Sequence, residues 1–199
     1  MLERSPASPP ERRQVPEVPQ RVIVERALPT PPSVRGSTSL YLTEAGRQGI
    51  AAERKMLFVG TEPAAEHVAA ALEVPPGSPV VARRKMFWAE GVPVRIATSF
   101  FRPDVAEGTR LADEGFVLPT LQAAIEELGH TFARADETLT ARPPTPYEAD
   151  LLGVAGEWVV QILRVSTSTA RIPVHALETV CAASRHVFRI GQAAGNDRF

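Results

Sequence analysis

The feature that most limits what this chain can fold into is a weak internal repeat at an offset near 80 residues. Laid from Pro63 over Pro146, the two copies carry the same punctuation. In the first, Leu72-Glu-Val74 leads to Gly77, then Val80-Val81 and, after a polar stretch, Pro93-Val94. In the second, Leu152-Gly-Val154 leads to Gly156, then Val159-Val160 and Pro173-Val174. Each copy reads as a short helix opening at a proline, a glycine turn, a strand, a hairpin and a second strand. Pro63 and Pro146 suit the first turn of a helix, where a missing N–H costs nothing, and Thr145 with Glu148 fits a capping box.

Alternation and β-branched residues predict strands at 80–87, 92–101, 159–167 and 173–181. Glu90-Gly91 is a good hairpin turn for the first pair, whereas the turn near 168–171 lacks a glycine. A strand at 54–59, bounded by Gly60, precedes the first copy. Between the copies, Leu121, Ile125 and Leu128 mark one face of a helix that begins at Pro119-Thr120 and stops at Gly129. A strand at 135–141 follows, ahead of the Pro143-Pro144 break. The order is strand, helix, hairpin, helix, strand, helix, hairpin. Hairpin-connected strands make the sheet mainly antiparallel, so the expected class is α+β: a six-stranded sheet with three short helices on one side or end.

Eight of the 19 prolines fall within the first 32 residues. Proline removes donors and pushes its neighbours to extended conformations, so residues 1–35 are expected to be a disordered arm. Residues 36–53 read as a linker, 54–190 as the folded domain and 191–199 as a flexible tail. A net charge of -1 provides no global basic field for a nucleic-acid backbone. Cys181 is the only cysteine, which excludes an intramolecular disulfide or a zinc site of paired thiolates and suits the cytoplasm. No apolar run approaches the ~20 residues of a membrane helix. His67, His130, His175 and His186 are scattered without a metal-binding pattern, and His67 and His130 read as surface residues. Neither a metal nor a cofactor is expected.

Six segments, in this order and spacing, resemble the UTRA domain, the effector-binding module of HutC-type GntR transcription regulators. They are Glu73-Val-Pro-Pro-Gly-Ser-Pro-Val-Val81, Glu90-Gly-Val-Pro-Val94, Ala97-Thr-Ser-Phe-Phe101, Ile125-Glu-Glu-Leu-Gly-His130, Pro144-Thr-Pro-Tyr-Glu-Ala149 and Ser184-Arg-His-Val-Phe-Arg189. The resemblance covers about residues 54–190 and implies a fold related to that of chorismate lyase. Family members normally carry a winged helix-turn-helix ahead of this domain. Residues 1–50 show no sustained helical period, so the resemblance implies a sensing domain without that headpiece, touching DNA only indirectly.

The resemblance also implies a site for a small-molecule effector lined by Lys85, Phe87, Ala97, Thr120, Gln122, His175 and Cys181. Lys85 aligns with the first arginine of a pair that holds phosphate in sugar-phosphate sensors, and Phe87 replaces the second. Ala97, His175 and Cys181 replace a Glu, a Glu and a Tyr that grip the sugar there. These departures imply a smaller or more apolar effector with one anionic group for Lys85. Thr120, where the family commonly has a serine, either serves the effector or merely caps its helix, and Gln122, in place of a tyrosine, either bonds a ligand or faces solvent. Cys181 reads as a small packed side chain rather than a nucleophile, since no adjacent base is evident. Glu178 with Arg164 and Arg185 forms an ion pair or lines the site. No convergent acid, base or nucleophile appears, so the chain is read as a sensor and not an enzyme. A homodimer, or a heterodimer with a full-length GntR-type regulator, is the implied assembly. A ligand-free interaction protein, and last a chorismate-lyase-like enzyme, are the alternatives.

Overall fold

A computed structural model describes residues 21–27 and 40–191. The duplicated sequence produces a duplicated sheet. Strands β2 (Ala52–Pro63), β3 (Pro79–Ala89) and β4 (Val92–Phe101), with helix α2 (Glu66–Leu72), form one half. Strands β5 (Phe132–Arg142), β6 (Val159–Ser168) and β7 (Pro173–Ala182), with helix α5 (Pro146–Leu152), form the other. The sheet order is β2-β3-β4-β7-β6-β5, antiparallel throughout, so the halves meet at β4 and β7 in a mirrored order. Along that seam Ala97 faces Thr179 and Thr98 faces Glu178. This is the expected α+β class with a six-stranded antiparallel sheet.

Local chemistry explains the turns and caps. Glu90 and Gly91 both take positive φ, 50° and 73°, as a tight two-residue hairpin needs. The second hairpin has no glycine, and Arg171 takes the left-handed conformation instead, at φ 63°. Thr145 and Glu148 form the predicted capping box with Pro146 in the first turn of α5. Its counterpart differs from expectation: Pro63 ends β2, paired with Pro79, and α2 begins at Glu66 after Ala65, which gives no side-chain cap.

Helices cover both faces of the sheet, where one side or end was expected. On β3, β4 and β7 the even-numbered residues face α2 and α5. Val80, Ala82, Phe100 and Ala176 pack with Val68 and Leu72 of α2, while Met86, Ile96 and Val180 pack with Leu152 of α5. The odd-numbered side is capped at one end by α3 (Pro103–Ala106) and α4 (Leu121–Glu127), whose Val105 and Ile125 pack on Val81 and Phe101. Its other end lies under α1 (Leu40–Arg47), whose Tyr41 and Ala45 pack on Phe87 and Ala97.

Helix α1 falls where a linker was expected, and β1 (Val22–Ala27) lies inside the expected arm. Strand β1 pairs in parallel with β8 (His186–Gly191), which a short 3-10 turn (Ala183–Arg185) connects to β7. The three consecutive β-branched residues of β1, Val22, Ile23 and Val24, favour a strand locally, and long-range contacts hold it. Val22 and Val24 are wholly buried, and the Gln48 side chain accepts from Ile23 N at 2.9 Å and donates to Ile23 O at 2.8 Å. The rest of the expected arm, residues 1–20 and 28–35, and the tail from residue 192 lie outside the described residues. Among the described residues no helix is long and apolar enough to cross a membrane.

Candidate functional site

Strand alternation puts Arg83, Lys85 and Phe87 of β3, Arg95, Ala97 and Ser99 of β4, and Thr179 and Cys181 of β7 on the side that carries α1, α3 and α4. Lys85 is opposite Ala97 on β4 and Met56 on β2. It occupies the gap between two apolar clusters, one under α1 and one under α3 and α4. Lys85 makes no ion pair or hydrogen bond with another described residue. Burial, together with the charges of Arg54, Arg83 and Arg95, pushes its pKa down to about 8. A half-buried ammonium among three guanidiniums is an attractive place for an anion.

The surrounding cations are held by separate means. Arg83 is 1 % exposed and donates to Leu111 O at 2.8 Å, to Asp113 O at 2.7 Å and to Gly115 O, so it fastens the 107–120 loop over the sheet. Arg95 lies 4.1 Å from the Tyr41 ring centre and 4.8 Å from that of Phe87. Arg54 lies 4.2 Å from the Phe116 ring. On this side Ser99 Oγ and His175 Nε2 are buried without a partner among the described residues. The His175 ring stacks on Phe101 at 4.8 Å, and burial, with lesser contributions from Lys85 and Arg164, pushes its pKa down to about 3.

Of the seven sequence-predicted residues, Lys85 and His175 thus bring unsatisfied polar groups to this side. Phe87, expected to line the effector site, is 3 % exposed and packs edge-on against Tyr41 at 5.1 Å. Ala97 is in the same cluster, and Cys181 is wholly buried beside Arg95 in register. Thr120 accepts from Ala123 N at 3.0 Å, so it caps α4, and Gln122 donates to Glu126 one turn on. Arg54, Arg95, Ser99 and Tyr41 were not anticipated. The register of β2 against β3 brings Arg54 to this side, the pairing of β4 with β3 brings Arg95 and Ser99, and the placement of α1 brings Tyr41.

The opposite side carries a separate cleft of about 340 Å³, lined by Arg84, Ile96, Thr98, Tyr147, Glu148, Glu178 and Val180. Glu178 was expected to pair with Arg164 and Arg185 or to line the effector site, but alternation turns it here, where its Oε1 accepts from Gln161 and contacts His67 Nε2 at 2.7 Å. Arg164 pairs instead with Glu137 at 3.6 Å, and Arg185 donates to the carbonyls of Pro93, Leu152 and Gly153. His67, expected at the surface, is therefore half-exposed and bonded.

Solved GntR-family regulators share this architecture, so the class is that of their regulatory effector domains. The chain belongs to the UTRA domain family, whose signature spans residues 47–187. PhnF from Mycobacterium smegmatis superposes with a TM-score of 0.68 at 23 % identity, covering 88 % of this chain and 73 % of that one. The C-terminal domain of a histidine utilization repressor from Pseudomonas syringae pv. tomato gives a TM-score of 0.61 at 25 % identity, over 73 % of this chain and 100 % of the other. An uncharacterized HTH-type transcriptional regulator of Streptomyces coelicolor is 35 % identical over 108 residues, half of this chain. The matched stretch spans only 38 % of that regulator.

Proposed function

We propose that this chain is the sensing domain of a HutC-type GntR regulator and that its effector carries an anionic group bound on the Lys85 side of the sheet. The observation behind this reading is the Lys85 ammonium, which has no counter-ion among the described residues and lies among Arg54, Arg83 and Arg95. A charge left without a counter-ion in a partly desolvated place costs stability, and an anion removes that cost. Ser99 Oγ and His175 Nε2 supply polar partners beside it. Phe87, Ala97 and Cys181 form the packed floor, and Thr120 orders the start of α4, with Gln122 on the helix surface. The likeness to the histidine utilization repressor domain supports the HutC assignment.

The test is thermal denaturation with a panel of carboxylates and phosphate esters, since a ligand bound only by the folded state raises Tm with its concentration. Hits should be acidic, and Lys85→Ala should remove their shift while leaving the unliganded protein about as stable. Because Lys85 loses its charge above its lowered pKa of about 8, affinity should fall as pH rises through that value. The loss approaches about tenfold per pH unit. Acidic hits indifferent to Lys85→Ala, or to pH between 7 and 9, would refute the reading.

The domain also acts in pairs under this proposal, since among the described residues β2 and β5 are the sheet edges, with backbone groups that another strand can pair. Sedimentation at micromolar concentration should give the doubled mass, and a monomer there rejects the pairing.

A further inference from the structure

The cleft on the other side of the sheet has a chemistry of its own. Across its floor Arg84 of β3, Thr98 of β4 and Glu178 of β7 stand directly opposite one another in register, a row of cation, hydroxyl and anion. Arg84 is oriented by its neighbours: its Nε donates to Thr98 Oγ1 at 3.2 Å and its Nη2 to both oxygens of Glu62, at 2.8 and 3.0 Å. Its Nη1 has no acceptor among the described residues. Glu178 is fixed through Oε1 by His67 and Gln161, and its Oε2 has no donor among the described residues. One cationic donor and one anionic acceptor are thus pre-oriented yet incompletely used.

The rest of the wall is apolar or already neutralised. Ile96 and Val180 lie two residues along the same strands, and Tyr147 of α5 overhangs with half its surface exposed. Glu148 is occupied by Arg142, through two bonds of 2.7 Å, and by Thr145 N. Arg84 with Glu62, and Arg142 with Glu148, cancel in pairs, and His67 faces Glu178. The cleft thus presents a cationic donor at one end of its floor and an anionic acceptor at the other, and a volume near 340 Å³ suits a molecule of amino-acid size.

From these observations we infer that the cleft between α2 and α5 is a second ligand site, which takes a small zwitterion with an apolar side group, such as a free α-amino acid. Its carboxylate goes to Arg84 Nη1 and its ammonium to Glu178 Oε2, and its side group lies over Ile96 and Val180 beneath Tyr147. This site is independent of the Lys85 side, since adjacent residues on β4 and β7 point to opposite faces.

Calorimetric titration of the full chain with L-phenylalanine tests the inference. Phenethylamine and 3-phenylpropionate each keep one of its two charges. L-Phenylalanine should bind, and both single-charge compounds should bind at least about tenfold more weakly, a difference of about 1.4 kcal/mol. Glu178→Gln should weaken L-phenylalanine about tenfold or more. Tyr147→Ala changes a side chain that is half in solvent and keeps the sheet whole, and it should weaken binding as well. Lys85→Ala should leave it unchanged, which separates this site from the proposed effector side. Absence of binding at millimolar L-phenylalanine overturns the inference. So does equal binding of either single-charge compound, indifference to Tyr147→Ala, or loss on Lys85→Ala.

Discussion

His175 and His186 are neutral in the fold for the same reason, that burial penalises their charged forms. His175 is pushed down to about 3, and His186 to about 4 against the opposing bond from its ring to Ala182 O. In the unfolded chain both return to about 6.5. Between those values the unfolded state binds more protons than the folded state, so stability rises with pH. It is complete above about 6.5 and is lost as acid drives the pH below that, by up to about 1.4 kcal/mol per unit for each histidine. His67 has the opposite sign: its bond to Glu178 raises its pKa, which favours folding below 6.5, but the ring is half-exposed and the contribution is screened. Net acid sensitivity is therefore expected. Urea unfolding at pH 5.0 and 7.0 should show it, and the double variant His175→Gln, His186→Gln should flatten the dependence. An unchanged slope would mean that other groups carry it.

The two helices of the repeat differ at their ends in ways that make separable predictions. Both finish on a left-handed residue, but in α5 it is Gly153, at φ 60°, and in α2 it is Glu73, at φ 52°. A side chain costs about 1 kcal/mol in that conformation, part of which glycine gives back as unfolded-chain entropy. Glu73→Gly should therefore stabilise by about 0.5 kcal/mol. Thr145→Ala should destabilise by about 1 kcal/mol, because it leaves an amide at the start of α5 without its cap. Chemical denaturation measures both, and a loss for Glu73→Gly would refute the first. The capping box of α5 was legible in the sequence because it is local chemistry, whereas the start of α2 was misplaced at Pro63, which pairing with Pro79 draws into β2. The hairpins and the sheet were legible from alternation and from the 80-residue offset. Helix α1 was not. It is eight residues long with Gly46 near its end, too short to be stable alone, and it is held by Tyr41 on Phe87 and by Gln48 on β1. Lys85 was found by resemblance to a family, but its partners were hidden. Arg54 reaches it only through the pairing with Phe87 across β2 and β3, and Phe87 is closed off by a ring 46 residues away in sequence.

At the scale of the whole molecule, the duplicated sheet supplies two usable faces, and β1 completes the core on one of them. Val22 packs in the same cluster as Tyr41, Phe87 and Ala97, so a strand distant from Lys85 in sequence belongs to the layer over its side of the sheet. The expectation that residues 1–35 are a disordered arm conflicts with this packing at Val22 and Val24. Removing two buried methyl groups costs about 2 kcal/mol by area and cavity together, so Val22→Ala should destabilise by about that amount. A fragment starting at Leu40 would lose Val22 and Val24, and it would also lose the backbone bonds of β1 to β8 and the two bonds to Gln48. Its loss should exceed that of the point variant. Because Tyr41 would then lack its outer neighbour, amide exchange should rise in α1 and in β8, while β6 and β5, at the far edge of the sheet, stay protected. Thermal melting of the full chain, Val22→Ala and the fragment, with hydrogen exchange on the fragment, measures this order. A fragment that melts with the full chain would show that β1 rests on the domain without stabilising it.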